Sequence, residues 1–235
     1  MIEGLLRPSV ALAYHGVGSV SDAEDPKRVV ISPENFEAQV RLLLRRGYRF
    51  AAASEIDPAR APEPRTSLLT FDDGFAGWVT VVLPLLRRLG VRATFYPCPG
   101  RWGGQHTSVL GEEGRLMDEA GARELHDAGM ELGSHTLTHR DLRKLDDETL
   151  EREVRESKAG IEAVTGEPCR TFAYPYGLYD ERVVRAVRDA GYTLAFAWHP
   201  GPWKALEAPR LQPPQRAGAG ALALKLLDVR GWWRR

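Results

Sequence analysis

Short β-rich apolar runs alternate with amphipathic segments along this chain, and few folds satisfy that alternation. Val10–Tyr14, Ser67–Phe71, Val91–Tyr96, Met130–Ser134, Thr171–Tyr174 and Tyr192–Ala197 read as strands, with Tyr48–Ala51 a shorter candidate. Between them lie segments of helical period. Ser32-Pro33 is an N-cap followed by proline at the first helical position, and Phe36, Val40, Leu43 and Leu44 form one apolar face before Gly47. Trp78–Leu89 contains Pro84, which predicts a kink or a late helix start. Asp118–Ala128, Asp146–Val164 and Asp180–Ala190 complete the set, with Glu151 and Arg155 spaced as an i,i+4 ion pair. Repeated βα units of this kind build a mainly parallel sheet covered by helices. No internal repeat and no linker divides the 235 residues, so one α/β domain with one core is expected.

Charge excludes some partners. Lys plus Arg and Asp plus Glu are 32 each, which gives no basic surface for a nucleic acid. The two cysteines, Cys98 and Cys169, have neither zinc-ribbon nor disulfide-framework spacing and read as small buried hydrophobes. No run approaches the ~20 apolar residues of a membrane span. The N-terminal stretch lacks the pattern of a signal peptide, so a cytoplasmic location is expected. The C-terminal residues Ala221–Arg235, ending Trp-Trp-Arg-Arg, are amphipathic. Packing of a final helix is their expected role, with weak contact to a membrane interface the alternative.

The chemistry gathers at strand ends. Thr70-Phe-Asp-Asp-Gly74 places Asp72 and Asp73 where a strand closes, and His135 follows the next-but-one strand, with His139 four positions on. In parallel α/β folds catalytic groups collect at the carboxyl ends of strands. Neighbours on an extended chain point opposite ways, so both aspartates reach one site only if the chain turns, which Gly74 permits. His135 and His139 face one way if they lie on a turn of helix. Two imidazoles and one carboxylate leave positions open for water, as in catalytic zinc sites, and a second carboxylate remains as a base. The same ligand set suits ferrous oxygenases, but the βα alternation disagrees with the jelly roll expected there. His106 and His126 read as a loop residue and a helix-face residue, and His199 as structural. Among Trp78, Trp102, Trp198 and Trp203, Trp102 in the glycine-rich loop 97–114 is the first candidate to stack on a sugar ring.

Thr70-Phe-Asp-Asp-Gly74, Gly133-Ser-His-Thr-Leu-Thr-His139, Phe172-Ala-Tyr-Pro-Tyr-Gly177 and Ala190-Gly-Tyr192 together resemble the NodB-type polysaccharide deacetylases, carbohydrate esterase family four. The likeness runs from about Val10 to Leu211. It implies a distorted (β/α)7 barrel over residues 1–211 with an amphipathic tail over 212–235. It also implies metal-dependent removal of N-acetyl groups, with O-acetyl as a second option, from a saccharide or glycan precursor. By position, Asp72 resembles the catalytic base, and Asp73, His135 and His139 the ligands of a divalent metal, zinc first and cobalt or nickel next. Tyr176 matches the residue whose backbone N–H binds the oxyanion, and Pro175 and Tyr176 fall on the substrate side. The usual Leu-x-His acid motif and Asp-Trp pair are missing. Tyr14-His15-Gly16 is instead similar to the poly-β-1,6-N-acetylglucosamine branch, whose permuted order makes His15 the general acid, with His199 the second choice. Ala173 stands where many members have an arginine that holds the base; Arg170 and Arg210 are the replacements on offer. A related amidohydrolase acting on a cyclic amide, and an inactive carbohydrate-binding barrel, are the competing readings.

Overall fold

The structure, a computed structural model, describes residues 9–228. Its strands are β1 (Val10–Tyr14), β2 (Gly16–Val17), β3 (Val30–Ile31), β4 (Arg49–Phe50), β5 (Thr66–Asp73), β6 (Thr94–Pro97), β7 (Glu131–Leu132), β8 (Thr171–Ala173), β9 (Leu194–Ala197) and β10 (Ala208–Pro209). The α-helices are α1 (Pro33–Arg45), α2 (Leu83–Leu89), α3 (Glu119–Asp127), α4 (Asp147–Thr165), α5 (Glu181–Asp189) and α6 (Ala219–Asp228). Most strands are shorter than the apolar runs predict.

All pairings between named strands are parallel. One sheet runs β1-β5-β6-β7 with β4 alongside the start of β5, and a second runs β10-β9-β8. Two single bridges join them, Ser134 to Phe172 and Leu12 to Leu211. The backbone path is thereby a ring, β1-β5-β6-β7-β8-β9-β10 and back to β1. This is the distorted α/β barrel that the motifs imply.

Strand alternation sorts the side chains into two layers. Leu12, Tyr14, Leu69, Phe71 and Phe95 join the larger core between barrel and helices. Ala11, Leu68, Tyr96, Ala173, Leu194 and Phe196 form the smaller cluster on the other strand face, inside the ring. Asp72 has the same parity as Leu68 and Thr70, so the strand period aims it inward.

Local chemistry accounts for the helix ends. Ser32 accepts from the Asn35 N–H at 3.2 Å and Pro33 follows it, as expected from the sequence. The segment with Pro84 starts as a π-helical turn over Trp78–Val82 and becomes α-helical at Leu83. Proline has no N–H for the helical ladder and is tolerated in a first turn. Arg155 reaches the Asp189 carbonyl at 3.3 Å, so it bridges α4 to the end of α5 where an ion pair with Glu151 was expected.

Gln39, fully buried on α1, ties the C-terminal segment down. Its Oε1 accepts from Tyr14 Oη–H at 2.8 Å, and its Nε2 donates to the Pro214 and Ala217 carbonyls at 2.8 and 2.9 Å. Helix α6 then packs on α1, with Leu222 and Leu226 in the main core and Leu224 68% exposed. Residues 229–235, with the terminal Trp-Trp-Arg-Arg and most of the residues behind the membrane alternative, lie outside the described residues. No described helix is long and apolar enough to cross a membrane. Leu222→Ala removes a fully buried side chain and is expected to cost about 2–5 kcal/mol. Leu224→Ala on the exposed face should change stability by less than about 0.5 kcal/mol. Urea unfolding of the two variants checks the difference.

Candidate active site

Asp72 and Asp73 end β5, both almost wholly buried. The turn begins one residue earlier than the glycine suggests: Asp73 has φ 86° and Gly74 φ 97°. An aspartate held at positive φ is uncommon, and here that bend swings the second carboxylate to the mouth beside the first.

Arg210, 3% exposed and just past β10, grips Asp72 from inside the ring. Its two terminal nitrogens donate to Oδ1 at 2.7 Å and Oδ2 at 2.6 Å, and Nη1 also donates to Thr70 Oγ1 at 2.9 Å. Of the two arginines that the sequence leaves open, Arg210 holds Asp72; Arg170 is exposed at the opposite, amino end of β8. Burial pushes the Asp72 pKa upward, but Arg210 and His135 outweigh it and hold the carboxyl below its usual value. It is a carboxylate at neutral pH.

His135 and His139 do not lie on a helix. The segment is an irregular loop with Thr136 at φ 69° and His139 at φ 63°, which corrects the expectation of an i,i+4 helical pair. Hydrogen bonds offset that conformation. Thr136 Oγ1 accepts from the His139 N–H at 3.0 Å, and the buried Glu153 of α4 accepts from Thr138 through both N–H and Oγ1–H. The Glu153 carbonyl accepts from the Leu137 N–H at 3.0 Å.

His135 Nδ1 donates to the Ala173 carbonyl at 2.7 Å, which leaves its lone pair on Nε2. That Nε2 lies 3.5 Å, and His139 Nε2 3.1 Å, from Asp73 Oδ1. The three ligand atoms fall within 4.8 Å of one another. Asp73 Oδ1 is buried yet makes no hydrogen bond among the described residues, so these lone pairs converge on a common point rather than on one another's protons. That donor set fits a divalent ion. Burial lowers the His139 pKa to about 4, giving the neutral ring that a ligand requires. Burial also pushes His135 down, but the Asp72 and Asp73 carboxylates reverse the shift and raise it.

Three further groups face this end. His15, buried between β1 and β2, accepts the Trp78 indole N–H on its backbone carbonyl at 2.8 Å. Its Nδ1 has no hydrogen-bond partner among the described residues, and its ring meets Trp198 edge-on at 5.4 Å. Burial lowers the His15 pKa against the pull of Asp73 and Asp72, so its protonated form is a stronger acid than free imidazolium. Tyr176 sits at φ 59° in the Pro175–Gly177 turn, 49% exposed, its ring 4.6 Å from that of His139. Gly177 backs onto Trp198 so closely that a Cβ would lie 2.6 Å from it.

The structure thus gathers Asp72, Asp73, His135 and His139, with Tyr176 against His139 and His15 in the field of both aspartates. Trp102 packs half-buried against the main core, whereas Trp198 lies on His15. His106 is the residue that sequence reasoning passed over. It lies on the loop between β6 and α3, is 7% exposed, and brings Nε2 to 3.1 Å from Asp73 Oδ2. Both cysteines are buried thiols, as expected, and Cys98 Sγ–H donates to the His135 carbonyl at 3.1 Å.

A parallel α/β barrel with a His-His-Asp cluster at its carboxyl rim, beside an arginine-held aspartate, has the layout of a class of metal sites. Residues 59–195 match the polysaccharide deacetylase family profile, and the chain belongs to that family. It is similar to YxkH of Bacillus subtilis (25% identical over 194 residues, 81% of this chain and 64% of that protein). It is also similar to a peptidoglycan-N-acetylglucosamine deacetylase of Bacillus cereus (30% over 136 residues, 57% of each). The chain therefore spans less than two thirds of these relatives' lengths. Among solved structures, a polysaccharide deacetylase from Bacillus cereus superposes with a TM-score of 0.79 at 25% identity over 93% of this chain and 69% of that one. A Streptococcus pyogenes deacetylase in complex with acetate shares the fold, with a TM-score of 0.78 at 20% identity over 93% and 98%.

Arg210→Met should leave Asp72 buried and unpaired, a loss of about 3–5 kcal/mol at neutral pH. The wild-type pairing, which depresses the folded pKa, stabilises above the unfolded carboxyl value and is lost as pH falls through the folded one. The stability gap between variant and wild type should accordingly shrink under acid, as denaturant titrations at pH 7 and pH 3 would report.

Proposed function

We propose that this chain is a metal-dependent deacetylase that hydrolyses the N-acetyl group, with O-acetyl as a second option, of a saccharide or glycan precursor and releases acetate. The convergence of Asp73, His135 and His139 beside the Arg210-held Asp72 carries the reading. The names of the relatives, a chitin deacetylase and a peptidoglycan-N-acetylglucosamine deacetylase, support an N-acetylglucosamine-containing substrate.

Asp73 Oδ1 and the Nε2 atoms of His135 and His139 would hold the ion, zinc first and cobalt or nickel next. When bound, such an ion supplies Lewis acidity for the acyl oxygen and lowers the pKa of water from ~16 toward ~7. Asp72 takes the proton of the attacking water. Arg210 uses one lone pair on each Asp72 oxygen and leaves another on each for that proton. The Tyr176 backbone N–H donates to the developing oxyanion, worth about 3 kcal/mol for one well-placed donor. His15, protonated, delivers a proton to the leaving nitrogen, and the acetamide departs as acetate and free amine. Pro175 and Tyr176 border the bound sugar, and Trp102 remains the proposed stacking residue on the glycine-rich loop.

Zinc- or cobalt-loaded protein should release acetate from at least one member of a panel of N-acetylated oligosaccharides and lipid-linked precursors. Asp72→Asn should retain the ion and lose about 10²–10⁴-fold in turnover. Full activity in that variant removes Asp72 from the role. Tight one-to-one metal binding without acetate from any sugar would redirect the reading to a non-sugar amide.

A further inference from the structure

The two oxygens of Asp73 have different surroundings. Oδ1 faces the His135 and His139 Nε2 atoms and makes no hydrogen bond among the described residues. Oδ2 lies 3.1 Å from His106 Nε2, its one hydrogen-bond partner among the described residues. His106 Nδ1 accepts the Ser108 backbone N–H at 3.2 Å, so that nitrogen carries the lone pair and the ring proton sits on Nε2. Phe75 packs against the ring at a centroid distance of 4.8 Å. The imidazole is held in plane, in tautomer and in direction.

We propose that His106 is a positioning residue: its Nε2–H holds Asp73 through Oδ2 so that Oδ1 alone is presented to the metal. The proposal rests on the metal-dependent reading above. An aspartate with two free oxygens rotates about its last torsion and can offer one or both of them to an ion. A donor committed to one oxygen selects a single orientation, at the cost of one lone pair. Asp73 needs that restraint more than most ligands, because it hangs from a strained residue at the end of its strand.

The donor is built rather than incidental. The His106 N–H donates to the Gly114 carbonyl at 2.7 Å, and Gln105 Nε2 donates to the Val109 and Gly111 carbonyls at 3.1 and 3.0 Å. Leu116 N–H donates to the Gly104 carbonyl and Met117 N–H to that of Gly74, at 2.9 and 2.8 Å. The 97–114 loop therefore folds on itself and fastens to the turn that bears Asp73. A Cβ at Gly114 would sit 2.1 Å from the Val109 carbonyl, so this packing requires glycine there. Asp73 links the two events: the loop acts on Oδ2 and the ion on Oδ1. Metal binding should then tighten the loop, and the loop should tighten metal binding, by the same factor.

Zinc affinity, measured by calorimetric titration of metal-stripped wild type, His106→Leu and His106→Gln, tests this. Leucine fills much of the ring's volume without a donor, whereas the glutamine Nε2 restores an N–H close to where the imidazole has one. His106→Leu should raise the zinc Kd about 10–100-fold, and His106→Gln should recover most of that loss. Trypsin cleavage within 100–114, which contains Arg101, should slow on adding zinc to wild type and less so in His106→Leu. Equal affinity in wild type and the leucine variant overturns the proposal. So does equal weakening in both variants, which would make His106 a packing residue, as would a matching fall in their metal-free Tm without any change in Kd. Absence of zinc binding by wild type defeats the metal reading itself, and the proposal with it, before any variant is compared.

Discussion

Arg210 lies on Asp72 inside the ring of strands, and much of the molecule depends on how that pair is made. A guanidinium and a carboxylate, both almost wholly buried, are costly to bring out of water, and each is tolerable there only because the other is present. They are separated by 138 residues of sequence. Asp72 closes the strand with most neighbours, and Arg210 follows the last strand, next to the Leu211 bridge that joins it to β1. Closing the barrel and pairing Asp72 are therefore one event. Tyr96 and Phe196 flank the guanidinium at 5.9 and 5.8 Å, so the arginine is enclosed by aromatic faces as well as by its partner.

The remainder of the site is held by polar groups on neighbouring strands, helices and loops. Glu153 on α4 clamps the loop between His135 and His139, and the Ala173 carbonyl orients the His135 ring. Gly177 lets the Tyr176 turn close against Trp198, which in turn lies on His15. Three residues that face the reacting end, Asp73, His139 and Tyr176, have positive φ. Backbone strain concentrated at one rim, offset by hydrogen bonds from neighbouring elements, is the pattern of a site built for geometry rather than for stability.

Local rules were enough for much of this. The Ser32-Pro33 cap and the central strand, expected over Ser67–Phe71 and found over Thr66–Asp73, follow from propensity and period, which act within a few residues. The βα alternation sufficed for the parallel fold class, and the spacing of Asp72-Asp73 and His135-x-x-x-His139 for the cluster. Readings failed where the deciding partner was remote. A histidine pair at i,i+4 suggests a helix, but Glu153 and Thr136 stabilise a loop with two residues at positive φ. His106 looked like one more loop residue, and a loop of glycines gives no periodic signal to show which of its side chains turns inward.

The sequence by itself determined which groups this protein can bring to a site: two carboxylates at one strand end and two imidazoles beyond another are covalent facts. Only the tertiary structure decided which arginine holds that aspartate, which tryptophan meets His15, and that His106 reaches Asp73. Each of these contacts joins residues far apart along the chain. Their distances are set by closure of the ring and by the path of the loops over its rim, and no local propensity encodes either.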